Sequence, residues 1–541
     1  MSLTYQLAQL KQQINSIGND AKTTAQRLGR FRGRFSQSLS IASRQRWLLI
    51  LAVFLLAVLV RLAPLLWTSA LADESEMYDD GVYFAAAQHL VAGQLPYRDF
   101  VLVHPPGIAV AMAPLAALGH FIGDGNAFAA ARLLLIAVGA VNAALVTWIA
   151  GRQRAVAGAV GGLLYAVWWP AASAETTVFL EPILNLLLLL AAGLLTGKDP
   201  SPRRITVAGL LMGASVSFKL WPAPVLVVLV VWLFRTYGFR EARRFAVGCA
   251  LSLVAVLGPF FMIAPRQMWS MVILDQVSRN NVPSAEQSIV DRLLPFAGAS
   301  SHLDNVVPAG VVFLVIAAAL VSIVLLVRTL PWGLLWFSVL CIQLVELLLA
   351  SNYYGTHYPA FAAASFAVLC GFAAGHGLQL LHNGMQLRFA SALTITVLLL
   401  FLASSIAIGA HRGQEGAVDN SALRSFAHGH RCVFTSSTVA IIADEESRNI
   451  DHRCRYQVDL FGLFLEEHRV GGGEGKTVSK LTAPAWQRHV QEELVRSDAV
   501  ILNLKYQDWE TWTPATRSAF LSRFKSAGQI GLLQLWAVNR S

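Results

Sequence analysis

Charge is what this chain has least of. Only 14% of its 541 residues are Asp, Glu, Lys or Arg, against about 25% in a soluble domain. With 55% hydrophobic residues and a mean hydropathy of +0.54, long apolar runs separated by short basic clusters assign it to a membrane. Metal-ligand spacing is also missing. No CxxC or Cys/His cluster has that spacing. Nor is there an internal repeat of broken helices, which counts against a transporter. The net charge of +10 implies no nucleic-acid partner, because most Lys and Arg before the C-terminal tail flank apolar runs and orient helices. Cysteine is scarce as well. Cys249, Cys341 and Cys370 lie in apolar runs as small buried hydrophobes. Cys432 and Cys454 lie in the tail, where an oxidising compartment would permit a bridge.

What is present begins with a polar segment, residues 1–46, with eight Lys and Arg against one acid, Asp20. That balance predicts a cytoplasmic N-terminus. Leu3, Leu7, Leu10, Ile14 and Ile17 form one apolar seam, read as a helix lying on a surface. Apolar runs then predict about eleven spans, near 47–67, 126–150, 155–172, 180–197, 204–217, 221–236, 244–264, 309–327, 331–350, 359–375 and 389–409. The run 204–236 is too long for one span, and Lys219-Leu220-Trp221-Pro222 breaks it into a hairpin. With this count Arg152/Arg154, Lys198/Arg203/Arg204, Arg235 to Arg244, Arg328 and Arg388 share the N-terminal side. The loops 68–125, 173–180, 265–308 and 351–358 share the other side with the tail. Trp168, Trp169, Trp221 and Trp332 read as interfacial belt residues.

The fold class expected is therefore an all-α polytopic membrane domain, 47–410, with an outer loop 68–125, followed by a small α/β extracytoplasmic domain, 411–541. In that tail, strands are expected near Arg431–Phe434, Ala499–Leu502 and Ile530–Val538, and helices over 484–497 and 514–525. The Gly471-Gly472-Gly473 run reads as a loop.

Chemistry concentrates in the first outer loop, where Asp73, Glu74, Glu76, Asp79 and Asp80 put five carboxylates in eight residues. A helix follows from Phe84. Asp79 or Asp80 would suit its N-terminus, but a cap accounts for only one of the two. Downstream come Arg98-Asp99 and Val103-His104-Pro105-Pro106-Gly107, then an apolar stretch, 108–122, that lies along the outer interface. An acidic pair, a short helix and a Val-His-Pro-Pro-Gly stretch in a long first outer loop resemble the GT-C glycosyltransferases. The resemblance is to the branch of protein O-mannosyltransferases and lipid A aminoarabinose transferases.

The resemblance implies a polyprenyl-phosphate-linked sugar donor, of the mannose or arabinose class, and an inverting transfer to an envelope glycan, glycolipid or protein. The compact loops fit a bacterial inner membrane, and the span count puts the tail outside. Asp79 and Asp80 match the family's acidic pair, where Asp-Glu is usual, so either could be the base. Glu175 and Glu181 compete for a second acidic position, and the Leu-acid-Pro context favours Glu181. Lys219 matches a basic residue suited to the carrier phosphate, and His357-Tyr358 a late outer turn near the site. Mg or Mn held by Asp79 and Asp80 with Glu181 is an option the family leaves open.

Such a transfer needs a base for the acceptor hydroxyl, carboxylates facing positive charge at the anomeric carbon, and a cation for the departing phosphate. Asp79 or Asp80, Glu181, and Lys219 with Arg98 and His357 supply them. Each has an alternative role. Lys219 could snorkel from a helix end, Arg98 could pair with Asp99, and His104 fits a loop-holding hydrogen bond better than proton transfer. Arg61 and Glu346 lie within spans, where a partner on another span is expected. Two other functions compete: a transporter or flippase without chemistry, and a non-catalytic envelope assembly protein whose tail binds glycan.

Overall fold

The structure, a computed structural model, describes residues 44–63, 78–196, 199–278, 292–297, 332–350, 357–380, 419–470, 480, 483–504 and 511–539, with scattered positions between 385 and 407. The chain divides into two units, Met1–Ala52 and Val53–Ser541, and the first is described only at the start of the helix Arg44–Ala63. The surface seam at 1–46, the span at 309–327, most of that at 389–409 and the Gly471–Gly473 loop lie outside the described residues.

Four described helices are long and apolar enough to cross a membrane: Arg44–Ala63, Asp124–Gly151, Phe239–Ile263 and Tyr358–Leu378. Shorter apolar helices are Gly107–Ile122, Ala155–Val167, Glu181–Leu195, Pro222–Tyr237 and Gly333–Leu349. This leaves the count of eleven unestablished. One expected span, 155–172, is divided: Trp168 is extended, and Pro170 opens a separate short helix, Trp169–Ala174. Proline also sits in the first turn of Glu181–Leu195, Pro202–Val216 and Pro222–Tyr237, where its missing N–H costs nothing. That is how the Lys219 hairpin forms where the sequence predicted it. Its first arm lies so close to Phe239–Ile263 that a Cβ on Gly209 would sit 2.1 Å from the Phe245 carbonyl oxygen. Small residues give membrane helices this approach.

The tail is a four-stranded sheet in the order β1-β2-β4-β3, with β1 (Val433–Phe434), β2 (Ala499–Asn503), β3 (Phe524–Ile530) and β4 (Leu533–Val538). β1 runs parallel to β2, and the other pairings are antiparallel. β2 is buried at every position. Val500 and Leu502 face one apolar cluster with Trp486 and Phe520, while Ala499 and Ile501 face another with Leu423 and Val439. Alternation with both faces covered marks a central strand. Cys432 and Cys454 are bonded. The single strand expected at Ile530–Val538 is a hairpin arm. Gly531, with φ 55°, turns the chain back, and β3 occupies residues 524–530 that partly read as helix.

The tail is seated on the first outer loop. Helix Tyr78–Val91 meets it through His89–Glu446 (2.9 Å) and Gln88–Ser447 (3.3 Å), and Tyr78 Oη donates to Asp459 (3.1 Å). Asp124, at the end of the longest span, accepts from the Ser447 amide (2.9 Å) and hydroxyl (2.7 Å). Gly81 packs so closely that a Cβ there would lie 2.5 Å from the Thr438 amide nitrogen.

Beneath this contact Glu445 is fully buried. Burial pushes its carboxyl up to about 8 from 4.5; Arg448 opposes this, while Asp498, Asp124 and Glu446 reinforce it. A carboxyl whose pKa is raised on folding binds its proton more tightly in the native state, so stability falls as pH rises between those values. The melting temperature of the full chain in detergent is therefore expected to decline from pH 5 to pH 8, and Glu445→Gln to flatten the decline. An unchanged slope in the variant would contradict the assignment.

Candidate active site

Two buried ion pairs organise the site. In the first, Arg132 on helix Asp124–Gly151 donates to Asp80 at 2.5 Å, and its guanidinium stacks on Phe128 at 4.3 Å. In the second, Lys219 Nζ reaches Glu181 Oε1 at 2.7 Å from the break between Pro202–Val216 and Pro222–Tyr237. Glu181 lies in the first turn of its own helix, where a negative charge suits the helix dipole. Lys219 is also roofed by aromatic faces, with Trp221 at 3.7 Å and Tyr358 at 4.4 Å, a cation–π setting that holds a desolvated ammonium. His357 stacks on Phe179 at 4.1 Å and meets the Tyr358 ring edge-on at 4.8 Å.

The first outer loop is tied to this cluster through backbone. Gly107 donates from its amide to the Ser217 carbonyl at 2.9 Å, and a Cβ there would lie 2.5 Å from that oxygen. Only glycine permits the approach. Two residues beyond Ser217 is Lys219. One apolar core containing Tyr83, Val103, Ile108, Phe179 and Ala360 underlies the loop helix and the turns bearing Glu181 and Tyr358.

Expected site residues thus separate. Glu181, Lys219, His357 and Tyr358 come together. The acidic pair divides: Asp80 is fully buried on Arg132, whereas Asp79, one residue earlier in the same helical turn, is half-buried. Burial raises the Asp80 carboxyl, which Arg132 counteracts. His104 is buried with its ring edge-on to Tyr83 at 5.4 Å, and its carbonyl accepts from Tyr97 Oη at 2.7 Å, the loop-holding role. Arg98 is not part of the Lys219 cluster. It is exposed, bonds Asp99 at 2.7 Å, and faces the tail. Glu175 is committed elsewhere, to Arg61 Nε at 2.6 Å and to the Tyr165 hydroxyl at 2.7 Å. That supplies the partner Arg61 needed.

Arg132 was missed because, within a long apolar run, an arginine gives no sign of which loop acid it will meet. The belt reading fails for Trp221, which roofs Lys219, and for Trp168, which is buried and donates from Nε1 to the Pro295 carbonyl at 2.7 Å. Among the described residues, no three His, Cys, Asp or Glu side chains gather as a metal site.

The fold is that of the GT-C glycosyltransferases, and the chain is an integral membrane glycosyltransferase of that type. The particular family whose model matches it, over residues 102–352, is Glycosyltransferase family 87. That stretch takes in Glu181 and Lys219 but neither the acidic pair nor His357. No curated protein matches in sequence. The chain is similar to ArnT from Cupriavidus metallidurans bound to undecaprenyl phosphate, with 14% identity and a TM-score of 0.56 over 91% of this chain and 98% of that one. It is also similar to the apo Archaeoglobus fulgidus oligosaccharyltransferase, with 13% identity and a TM-score of 0.54 over 92% and 74%. For archaeal AglB from Archaeoglobus fulgidus, in complex with an inhibitory peptide and a dolichol-phosphate, the values are 12% and 0.53 over 92% and 75%.

Breaking a buried pair leaves an uncompensated charge, at about 3–5 kcal/mol, whereas removing both partners costs far less. Glu181→Gln and Lys219→Met should each lower the melting temperature clearly, and the double variant by less than their sum. Additive effects in this double-mutant cycle would mean the pair is not coupled.

Proposed function

We propose that the protein transfers a mannose- or arabinose-class sugar from a polyprenyl-phosphate carrier to an envelope glycan, lipid or protein, with inversion. The setting is the outer face of a bacterial inner membrane, with the N-terminus cytoplasmic and the tail outside. The observation that carries the reading is Lys219, a buried ammonium held by Glu181 beneath two aromatic faces at a helix break. An ammonium has three donors, and Glu181 accepts from one, so a phosphate oxygen can be received without moving the side chain. ArnT bound to undecaprenyl phosphate and AglB in complex with a dolichol-phosphate, both similar in fold, support a lipid-phosphate donor.

In this reading Asp79 is the general base, because it is the half-buried member of the pair, while Asp80 is withheld from substrate by Arg132. The acceptor hydroxyl gives its proton to Asp79 as its oxygen bonds to the anomeric carbon. The bond from that carbon to the phosphate oxygen breaks, and its electron pair leaves with the phosphate toward Lys219. Glu181 offsets positive charge at the sugar and fixes the ammonium, and His357 and Tyr358 close the wall beside it. Arg98 and His104 act at a distance, Arg98 at the tail and His104 through the loop.

The test is transfer of radiolabelled sugar from polyprenyl-phosphate mannose and polyprenyl-phosphate arabinose to an envelope extract. Asp79→Asn should lose about 10²–10⁴-fold in turnover with an unchanged melting temperature, whereas Asp80→Asn should lower that temperature. Retained transfer in Asp79→Asn would remove it as the base. Two of the three carboxylates offered to a divalent cation are each held by a cation of the chain, so turnover should survive EDTA. Loss restored by Mg or Mn would show that a cation takes part.

A further inference from the structure

Helix Tyr78–Val91 starts at the acidic pair and ends at a second feature. Between His89, the Arg98 loop and the tail lies an open cleft of about 790 Å³. Four arginines line it: Arg98, Arg453, Arg455 and Arg496. The two carboxylates in its wall are engaged, Asp99 with Arg98 at 2.7 Å and Glu446 with His89 at 2.9 Å. Arg496 lies only loosely against the exposed Glu492, at 3.9 Å. Arg453 and Arg455 are exposed and make no ion pair or side-chain hydrogen bond among the described residues.

The backbone that presents these two arginines is unusual. Both have φ 59°, in the left-handed region where glycine is the undemanding occupant. Cys454 stands between them, bonded to Cys432. The chain thus keeps two long cations in the lining of one cleft, flanking a cross-linked cysteine, at positions where its backbone would be better served by glycine. Residues held in such conformations cluster at ligand clamps. Each guanidinium suits bidentate capture of carboxylate or phosphate, and a concave basic wall concentrates anions.

We infer that this cleft binds the anionic part of the acceptor, a glycan bearing carboxylate or phosphate groups. The inference rests on the proposed transfer reaction in taking the acceptor as the ligand. Asp80 and His89 are nine residues apart on one helix, about 14 Å at 1.5 Å per residue. A short chain of sugars seated on the arginines is long enough to cover that distance, which the helix, buried between its ends, holds fixed. A membrane lipid fits less well, because among the described lining residues Ile450 is the only aliphatic side chain.

The test uses the full chain in detergent and fluorescently labelled oligosaccharides: a hexa-galacturonate, a phosphorylated oligomannose, and neutral maltohexaose. Wild type is expected to bind one or both anionic sugars and not maltohexaose, and which one binds separates carboxylate from phosphate. The double variant Arg453→Ala/Arg455→Ala should bind roughly tenfold more weakly or worse at an unchanged melting temperature, with partial recovery in Arg453→Lys/Arg455→Lys. Binding of neither anionic sugar, equal binding of maltohexaose, or undiminished binding by the alanine variant would overturn the proposal. So would binding confined to phosphatidylglycerol vesicles. Because this readout needs no turnover, failure of the transfer reaction would show separately, as wild type using neither polyprenyl-phosphate donor.

Discussion

An ionised side chain that leaves water is costly unless it meets an opposite charge, and among the described residues three such meetings tie distant segments together. Arg61 meets Glu175, Arg132 meets Asp80, and Lys219 meets Glu181, all with both partners nearly or wholly buried. Each joins segments far apart in sequence. Arg61–Glu175 ties the helix Arg44–Ala63 to the turn before Glu181, where Tyr165 and Asn142 also bond to the carboxylate. Asp80–Arg132 fastens the first outer loop to the longest span. Glu181–Lys219 closes the hairpin over the helix that follows that turn. In a low-dielectric interior these partners cannot drift apart without exposing a charge, so the helix ends they join keep a defined separation.

The same pairs sort the acids by role. Capture by arginine fixes the register of helix Tyr78–Val91 through Asp80 and leaves Asp79, about 100° around the helix, toward the less buried side. Capture by lysine turns Glu181 from a free carboxylate into the support for an ammonium. The His104-Pro105-Pro106-Gly107 stretch completes the arrangement, His104 through its ring against Tyr83 and Gly107 through its backbone against Ser217. Among the described residues of the outer loop, His104, Tyr97 and Gly107 hold its shape.

The tail is bound to the same loop helix, so a ligand gripped there is registered to the acidic pair through one rigid element. His89, Gln88 and Tyr78 all bond across the contact, and Gly81 leaves room for Thr438 to come close. Transfer reactions depend on such registration, because misplacement of reacting groups by an ångström is costly.

By itself the sequence determined that the protein lies in a membrane, where most described helices fall, where the Lys219 hairpin turns, and that the tail is an α/β domain with a bridge open to Cys432 and Cys454. Run length, proline position and the placement of Lys and Arg are local properties, readable along the chain. The members of the Lys219 cluster came from the resemblance that the sequence's motifs carry. Only the tertiary structure decided which carboxylate meets which cation, since the partners lie 38, 52 and 114 residues apart. Nothing local distinguishes Asp79 from Asp80, or a tryptophan at the lipid interface from Trp221 over an ammonium. The second strand hidden in 524–530 escaped for a related reason: its residues are exposed at five of seven positions, and pairing with β4 alone makes it a strand.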